Sequence, residues 1–353
     1  MRAVVFEEFG GPLRVDEVPD PRPTPEGVVV RVEATGVCRS DWHAWRGHDA
    51  DVAVPHVPGH ELAGRVVATG DRVRRWSPGD RVTVPFICAC GTCPQCARGD
   101  QQVCDRQFQP GFSGWGSFAE LVALDHADVN LVRLPDELPA VTAAALGCRF
   151  GTAYRAVFRQ GELSAGQWVA VHGCGGAGMS AVLLALAAGA RVVAVDAAEQ
   201  VLDMAARLGA HATVDAARSA DTAAEVRDVT GGGAHLSLDC VGLPATCAAS
   251  VASLRKRGRH VQVGLMPPEQ GTPPIPMHRV IADELVLLGS HGIQAHEYPA
   301  MLDFVERAGI DLAGLIGRRI TLDEAPHALA AMDDPVPGAA GVAVVDLTRE
   351  GPR

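Results

Sequence analysis

Basic residues are outnumbered in this chain and aromatic ones are scarce. Of 353 residues, 31 are Lys or Arg against 42 Asp or Glu, giving a formal net charge of −11. That balance repels phosphate backbones and acidic lipid surfaces, which argues against nucleic-acid and membrane-surface roles and leaves any anionic ligand to local donors. Long apolar runs are also missing. Stretches such as Ala181 to Ala188 are too short to cross a bilayer. The opening MRAVVFEEFG carries charges at Arg2, Glu7 and Glu8 and resembles neither a signal peptide nor an anchor. A cytoplasmic location is therefore expected. No internal repeat or low-complexity tract is visible, and with 47% hydrophobic residues the chain is long enough for two domains with buried cores.

Cysteine, by contrast, is concentrated. Five of the ten cysteines fall between positions 88 and 104, and in a reducing compartment such clustering points to metal rather than disulfides. Cys90, Cys93 and Cys96 are separated by two residues each, and Cys104 follows after seven more. Four thiolates in fifteen residues of loop rich in Gly and Pro can wrap one tetrahedral zinc with no open position. Cys88 is left over. A zinc-finger-like binding module is the rival reading, but its basic helix is missing: the flanks are Arg98, Asp100, Asp105 and Arg106.

A second constellation opens earlier, at Cys38-Arg39-Ser40-Asp41-Trp42-His43, with Gly59-His60-Glu61 downstream. Alone, Cys38 would read as a small buried hydrophobe. With His60 it supplies the thiolate and imidazole that zinc takes where one position stays open for chemistry.

Around these motifs the first part is punctuated like a β-rich or barrel-like unit, with strands expected at Arg2 to Phe6, Leu13 to Val18, Gly27 to Ala34 and Leu62 to Thr69. The character changes near Gly147-Cys148. Beyond it, strands at Trp168 to Val171 and Val192 to Val195 alternate with helices at Met179 to Ala188 and Val201 to Leu208, the pattern of βαβ units on a parallel sheet. Between the first strand and helix lies Gly173-Cys174-Gly175-Gly176-Ala177-Gly178. There, glycines permit a tight turn and bring a pyrophosphate to the amides of a helix N-terminus. Asp196 ends the next strand, where a carboxylate binds ribose hydroxyls and repels a 2′-phosphate, so NAD is expected over NADP. Strands follow at Leu236 to Val241, Arg259 to Val263 and Leu285 to Leu288. Val241 and Val263-Gly264-Leu265 are candidate cofactor contacts at their ends. After a Pro-rich loop from Pro267 to Pro276 and a helix from Tyr298 to Ala308, strands at Ile316 to Leu322 and Gly341 to Leu347 resemble the first part again, as if the dinucleotide domain were inserted into a discontinuous first domain.

These motifs, in this order, resemble the zinc-dependent alcohol dehydrogenases of the medium-chain dehydrogenase/reductase superfamily over essentially the whole chain. The resemblance implies an α/β protein with a GroES-like β-rich catalytic domain, 1–149 and 291–353 with a zinc lobe at 88–106, and a Rossmann domain of doubly wound parallel sheet at 150–290. Substrate and nicotinamide are expected to meet in the cleft between them. It implies that Cys38, His60 and Cys148 hold a catalytic zinc and Cys90, Cys93, Cys96 and Cys104 a structural one. Glu61 and Asp41 would stand behind the ligands, Asp41 orienting His60. Zinc would polarise the alcohol oxygen, hydride would pass to NAD, and Ser40 with His43 would relay the proton.

Arg39 resembles a pyrophosphate contact and Thr152 a nicotinamide contact, although a surface Arg or a helix cap would look the same. Trp42, Trp45, Phe86 and Trp115 are candidate walls of a pocket for apolar or aromatic alcohols, against plain core packing; His48 and His291 either reach that pocket or lie on the surface. Related polyol dehydrogenases place a carboxylate where this chain has Cys148, which tilts the reading towards simple alcohols. Aldehyde or ketone reduction, polyol oxidation, and a zinc-bearing binding protein that keeps the fold stay open as alternatives. Gly341-Val342 lacks the basic residue many relatives use on the pyrophosphate. The short connection from Cys104 to Gly116-Ser117-Phe118 resembles the tetrameric bacterial forms.

Overall fold

The computed structural model describes residues 1–266, 271–333 and 341–349, so part of the expected Pro267 to Pro276 loop lies outside the described residues. The chain divides into two units, one made of Met1–Gly151, Gly292–Leu302 and Asp311–Arg353, the other of Thr152–His291 and Asp303–Ile310.

The first unit is built on the Val-rich strand Val28–Val37. β-branched residues suit a pleated strand packed on both faces. Its sheet runs in the order Ile316–Ile320, Val342–Asp346, Val28–Val37, Glu61–Thr69, Arg81–Thr83, Val132–Arg133, with Leu121–Leu124 also paired to the central strand. Sequence pattern ended this strand at Ala34; it continues to Val37 because Ala34 to Val37 pair antiparallel with Val342–Asp346. A partner some three hundred positions away leaves no mark on local periodicity. The register with the next strand sets Gly36 opposite Glu61. It thereby brings Cys38, just past the end of one strand, beside His60, just before the start of the other.

The cysteine lobe hangs from the same unit. Cys93 caps the short helix Pro94–Ala97, its sulfur accepting from the amide of Cys96. Asn130, almost fully buried, staples the lobe's base: its Oδ1 accepts from the amide of Ala89 at 2.7 Å and its Nδ2 donates to the carbonyl of the same residue at 3.0 Å.

In the second unit six parallel strands lie in the order Ala212–Asp215, Arg191–Asp196, Trp168–His172, Ala234–Asp239, Leu254–Gln262, Val286–Gly289. This is the doubly wound sheet the alternation predicts, with helices Gly176–Ala187, Glu199–Arg207, Thr222–Thr230 and Pro244–Ala252 between strands. The strand expected to reach Val241 stops at Asp239, because the Asp239 carboxylate accepts from the amides of Val241 and Gly242 and turns the chain. The following strand begins at Leu254, earlier than Arg259, and its pairing with Ala234–Asp239 shifts register near a left-handed Arg257.

Replacing Asn130 with Ala leaves the amide and carbonyl of Ala89 buried and unpaired. The expected cost is about 2–4 kcal/mol, read as a lowered urea midpoint for the first unit. An unchanged midpoint would mean the lobe is held elsewhere.

Candidate active site

Asp41 is the hub of the first cluster. It sits in the first turn of the helix Arg39–Trp45, fully buried. One oxygen accepts from the amide of Cys38 at 2.9 Å; the other accepts from the amide of Gly59 at 3.0 Å and lies 2.7 Å from Nδ1 of His60. A buried carboxylate requires such partners. The arrangement assigns the proton to Nδ1 of His60 and leaves Nε2 as a buried acceptor. That atom has no hydrogen-bond partner among the described residues.

The sulfurs of Cys38 and Cys148, a ring nitrogen of His60 and a carboxylate oxygen of Glu61 all lie within 4.8 Å of one another. Cys148 sits in a π-helical turn, Leu146–Phe150, of the kind often found at functional sites. The thiol of Cys148 donates to Cys38 and holds it well below the ordinary thiol range, against burial and with help from Arg149 and His60; the same bond, with burial, pushes Cys148 well above it. Burial opposes a charge on His60, but Asp41 and Cys38 outweigh it and raise its pKa well above the ordinary value. A thiolate at Cys38 beside the thiol of Cys148 and the imidazole of His60 is a set of groups whose remaining protons a divalent cation can displace. The orphaned Nε2 and two convergent sulfurs are a donor set that fits zinc.

Glu61 is the fourth member of the cluster, yet it is spoken for. Arg149 donates its Nε to Glu61 Oε1 at 2.9 Å, and its terminal nitrogen pairs with Oε2. Burial raises the Glu61 pKa while Arg149 pulls it down. Gly36 permits the pair, since a Cβ there would fall 2.2 Å from Glu61 Oε2. Arg149 was not singled out from the sequence, although a cation directly after Cys148 is a usable signal.

The four lobe cysteines form the second cluster, again within 4.8 Å of one another, with Cys93–Cys96 at 3.4 Å and Cys93–Cys104 at 3.8 Å between sulfurs. Tetrahedral zinc–thiolate geometry spaces sulfurs by about 3.8 Å. Amides of Cys90 and Arg106 donate to Cys104, and the amide of Cys96 to Cys93. Cys90 is lowered to about 5: burial opposes this, but hydrogen bonds from Thr92 and Arg106 prevail. The donor set fits a closed zinc site. Cys88 is outside it, buried in the adjoining core.

In the second unit, Gly173 has φ of +84°, and a Cβ there would lie 2.3 Å from the side chain of Val241. A Cβ on Gly178 would lie 1.9 Å from the carbonyl oxygen of Gly173. Around Gly175 there is open space. Gly175 caps Gly176–Ala187 without a side-chain acceptor, leaving the amides of Gly176, Ala177 and Gly178 directed at the turn. Asp196 accepts from the amides of Cys174 at 2.7 Å and Ala198 at 2.9 Å, tying its strand to the turn. Gln262 donates to both Asp239 and the carbonyl of Gly264 at 2.9 Å, bracing the Val241 and Val263–Leu265 loops. This bracing role of Asp239 and Gln262 was not anticipated. Thr152 is buried with a hydroxyl that has no partner among the described residues.

The remaining candidates scatter. Ser40 lies 3.8 Å from the Cys38 sulfur. Arg39 stacks on Trp42 at 4.1 Å and donates to the carbonyl of Met332, while Trp42 donates to Asp333 at 2.7 Å. Of the four expected aromatic walls, Phe86 packs near His60, ring centroids 6.1 Å apart. Trp45 is buried in the core instead, its indole donating to the carbonyl of Gly11, and Trp115 is 38% exposed and bonded to the carbonyl of Pro55. Phe112, not foreseen, stands 5.3 Å from the His60 ring. His43 meets His48, and His291 is exposed.

Two family models match the chain. Residues 24–136 match the alcohol dehydrogenase GroES-like domain and 176–307 the zinc-binding dehydrogenase domain. An alcohol dehydrogenase of Rhizobium meliloti strain 1021 is 39% identical over 82% of this chain and 84% of its own. An NAD-dependent alcohol dehydrogenase of Sulfurisphaera tokodaii is 37% identical over 75% of this chain and 78% of its own. A zinc-binding dehydrogenase of Sinorhizobium meliloti 1021, solved with NADP bound, superposes with TM-score 0.87 at 30% identity, covering 98% of both chains. The chain belongs to the zinc-binding alcohol dehydrogenase family.

Asp41→Asn replaces an acceptor of three hydrogen bonds with a group that presents an N–H to at least one donor. The expected result is about 10–100-fold weaker zinc binding at the Cys38–His60–Cys148 cluster, read by chelator competition, with the lobe metal retained. Unchanged affinity would remove Asp41 from the metal's support.

Proposed function

We propose that this chain is an NAD(H)-dependent zinc alcohol dehydrogenase acting reversibly on primary or secondary alcohols, apolar or aromatic ones favoured. The observation that carries the reading is the convergence of the sulfurs of Cys38 and Cys148 and a ring nitrogen of His60 within 4.8 Å, with His60 Nε2 holding no hydrogen bond among the described residues. These three residues would hold the catalytic zinc. When bound, zinc supplies the Lewis acidity that makes an alcohol oxygen acidic near neutral pH, and NAD supplies the hydride acceptor.

The chain's own residues do the rest. Asp41 keeps His60 in the tautomer that offers Nε2. The Glu61–Arg149 pair sets a fixed, internally compensated charge beside the ligands. Ser40 receives the hydroxyl proton and His43 passes it outward. Phe86 and Phe112 keep the His60 side dry and apolar, which supports apolar substrates over polyols, as does a thiol rather than a carboxylate at Cys148. The glycines from Gly173 to Gly178 seat the pyrophosphate and Thr152 offers a hydroxyl to the nicotinamide. Arg39, which donates to the carbonyl of Met332, is the candidate cation for the pyrophosphate. Exposed Val241 and Leu265 beside the turn offer apolar cover to a flat ring. The lobe cysteines would hold a second, structural zinc.

No helix among the described residues is long and apolar enough to cross a membrane. A cytoplasmic home accords with ten free cysteines. A homotetramer is supported by the edge strand Val286–Gly289 with exposed Leu287, and by Met277 and Ile281, 56% and 79% exposed on a helix with no fully buried residue.

The test is the initial rate of NADH formation by zinc-replete protein with primary, secondary, benzylic and polyol alcohols, and of the reverse reaction with aldehydes and ketones. Turnover with a preference for apolar alcohols supports the reading. A polyol preference favours the neighbouring specificity, and silence in both directions favours a binding protein. Asp196→Gly is expected to raise the NADP-to-NAD ratio of kcat/KM by about tenfold or more; an unchanged ratio would sink the role given to Asp196.

A further inference from the structure

The half-buried His43 on the helix Arg39–Trp45 points its Nδ1 at Nδ1 of His48, 2.9 Å away. His48 is exposed, just past the helix end, and its amide donates to the carbonyl of His43 at 3.0 Å, which fixes the two residues together. Trp42 packs edge-on against both rings, with centroids 4.9 and 5.5 Å away. Two imidazoles bonded nitrogen to nitrogen must present one N–H and one lone pair. A proton crossing between them reverses the bond without moving either ring.

We infer that His48 is the outlet of the proton path, taking at its Nδ1 the proton that His43 releases and giving one from Nε2 to solvent. This rests on the dehydrogenase reading above. The hydroxyl proton, delivered by way of Ser40, binds Nε2 of His43. The N–H at Nδ1 of His43 then crosses to Nδ1 of His48, and the Nε2 proton of His48 leaves to water or buffer. No electrons travel this way; the hydride goes separately to NAD. Tautomer exchange resets both rings.

The surrounding charges suit a transit site rather than a store. Burial lowers the pKa of His43, the charges of His48 and Arg39 push the same way, and Cys38 opposes them. Arg46, which also faces Trp42, is neutralised by Asp333. His43 is therefore neutral at pH 7, able to take a proton and disposed to lose it.

The experiment is single-turnover NADH formation by the zinc-loaded protein with NAD and benzyl alcohol, at pH 7 in dilute buffer of low basicity, comparing native protein with His48→Asn and His48→Gln. Both variants are expected to be about tenfold slower, to recover when free imidazole is added, and to keep native zinc content and NAD affinity. The native rate should not respond to imidazole. Variants as fast as native protein in dilute buffer, or slow variants that imidazole does not restore, would overturn the inference. Absence of NADH from native protein would instead count against the dehydrogenase reading.

Discussion

The site depends on one buried carboxylate. Asp41 sits where a strand becomes a helix, and its two oxygens hold the amide of Cys38, the amide of Gly59 and the imidazole of His60. An unpaired charge at that depth would cost several kcal/mol, so the three donors are not optional. Because two of them belong to the residues flanking a candidate metal position, the requirement that Asp41 be satisfied is also what orients the ligands. The register of Val28–Val37 against Glu61–Thr69 brings the donors to it, and that register is in turn fixed by apolar faces packed on both sides of the sheet.

The two sulfur clusters show how hydrogen bonding separates their chemistry. In the lobe, backbone amides and Arg106 donate to the sulfurs, which would spread the charge of four thiolates around a bound ion and suits a closed, rigid site. Around Cys38 and Cys148 such amide donors are few; charge is balanced instead by the buried Glu61–Arg149 pair and by His60. A site less saturated with protein donors can accommodate an oxygen ligand that comes and goes. The same economy holds in the dinucleotide unit, where Asp196 and Asp239 spend their oxygens on turn amides and so fix the loops that flank the Gly-rich turn.

Much of this was legible in the residues. Cys38 to His43 and the lobe cysteines stand out because their spacing is local, His60 because an imidazole complements the thiolate of Cys38, and the Gly-rich turn because strand and helix patterns flank it. Cys148 came only through family resemblance, since nothing near it in sequence marks a ligand. Arg149 escaped because its partner Glu61 is 88 positions away. Val28–Val37 ran past its expected end because its partner is formed by the far end of the chain. The aromatic walls were the weakest reading: Trp45 fills core and Trp115 lies outward, while Phe112 reaches His60. A ring's identity does not encode which side of a loop it faces.

The most direct test of the central claim is the zinc content of native protein and His60→Ala, measured on the same samples used for NADH formation from ethanol and benzyl alcohol. The account predicts two zinc ions per native chain, one per variant chain, retained secondary structure, and no NADH from the variant. Two zinc ions in His60→Ala together with undiminished turnover would contradict it.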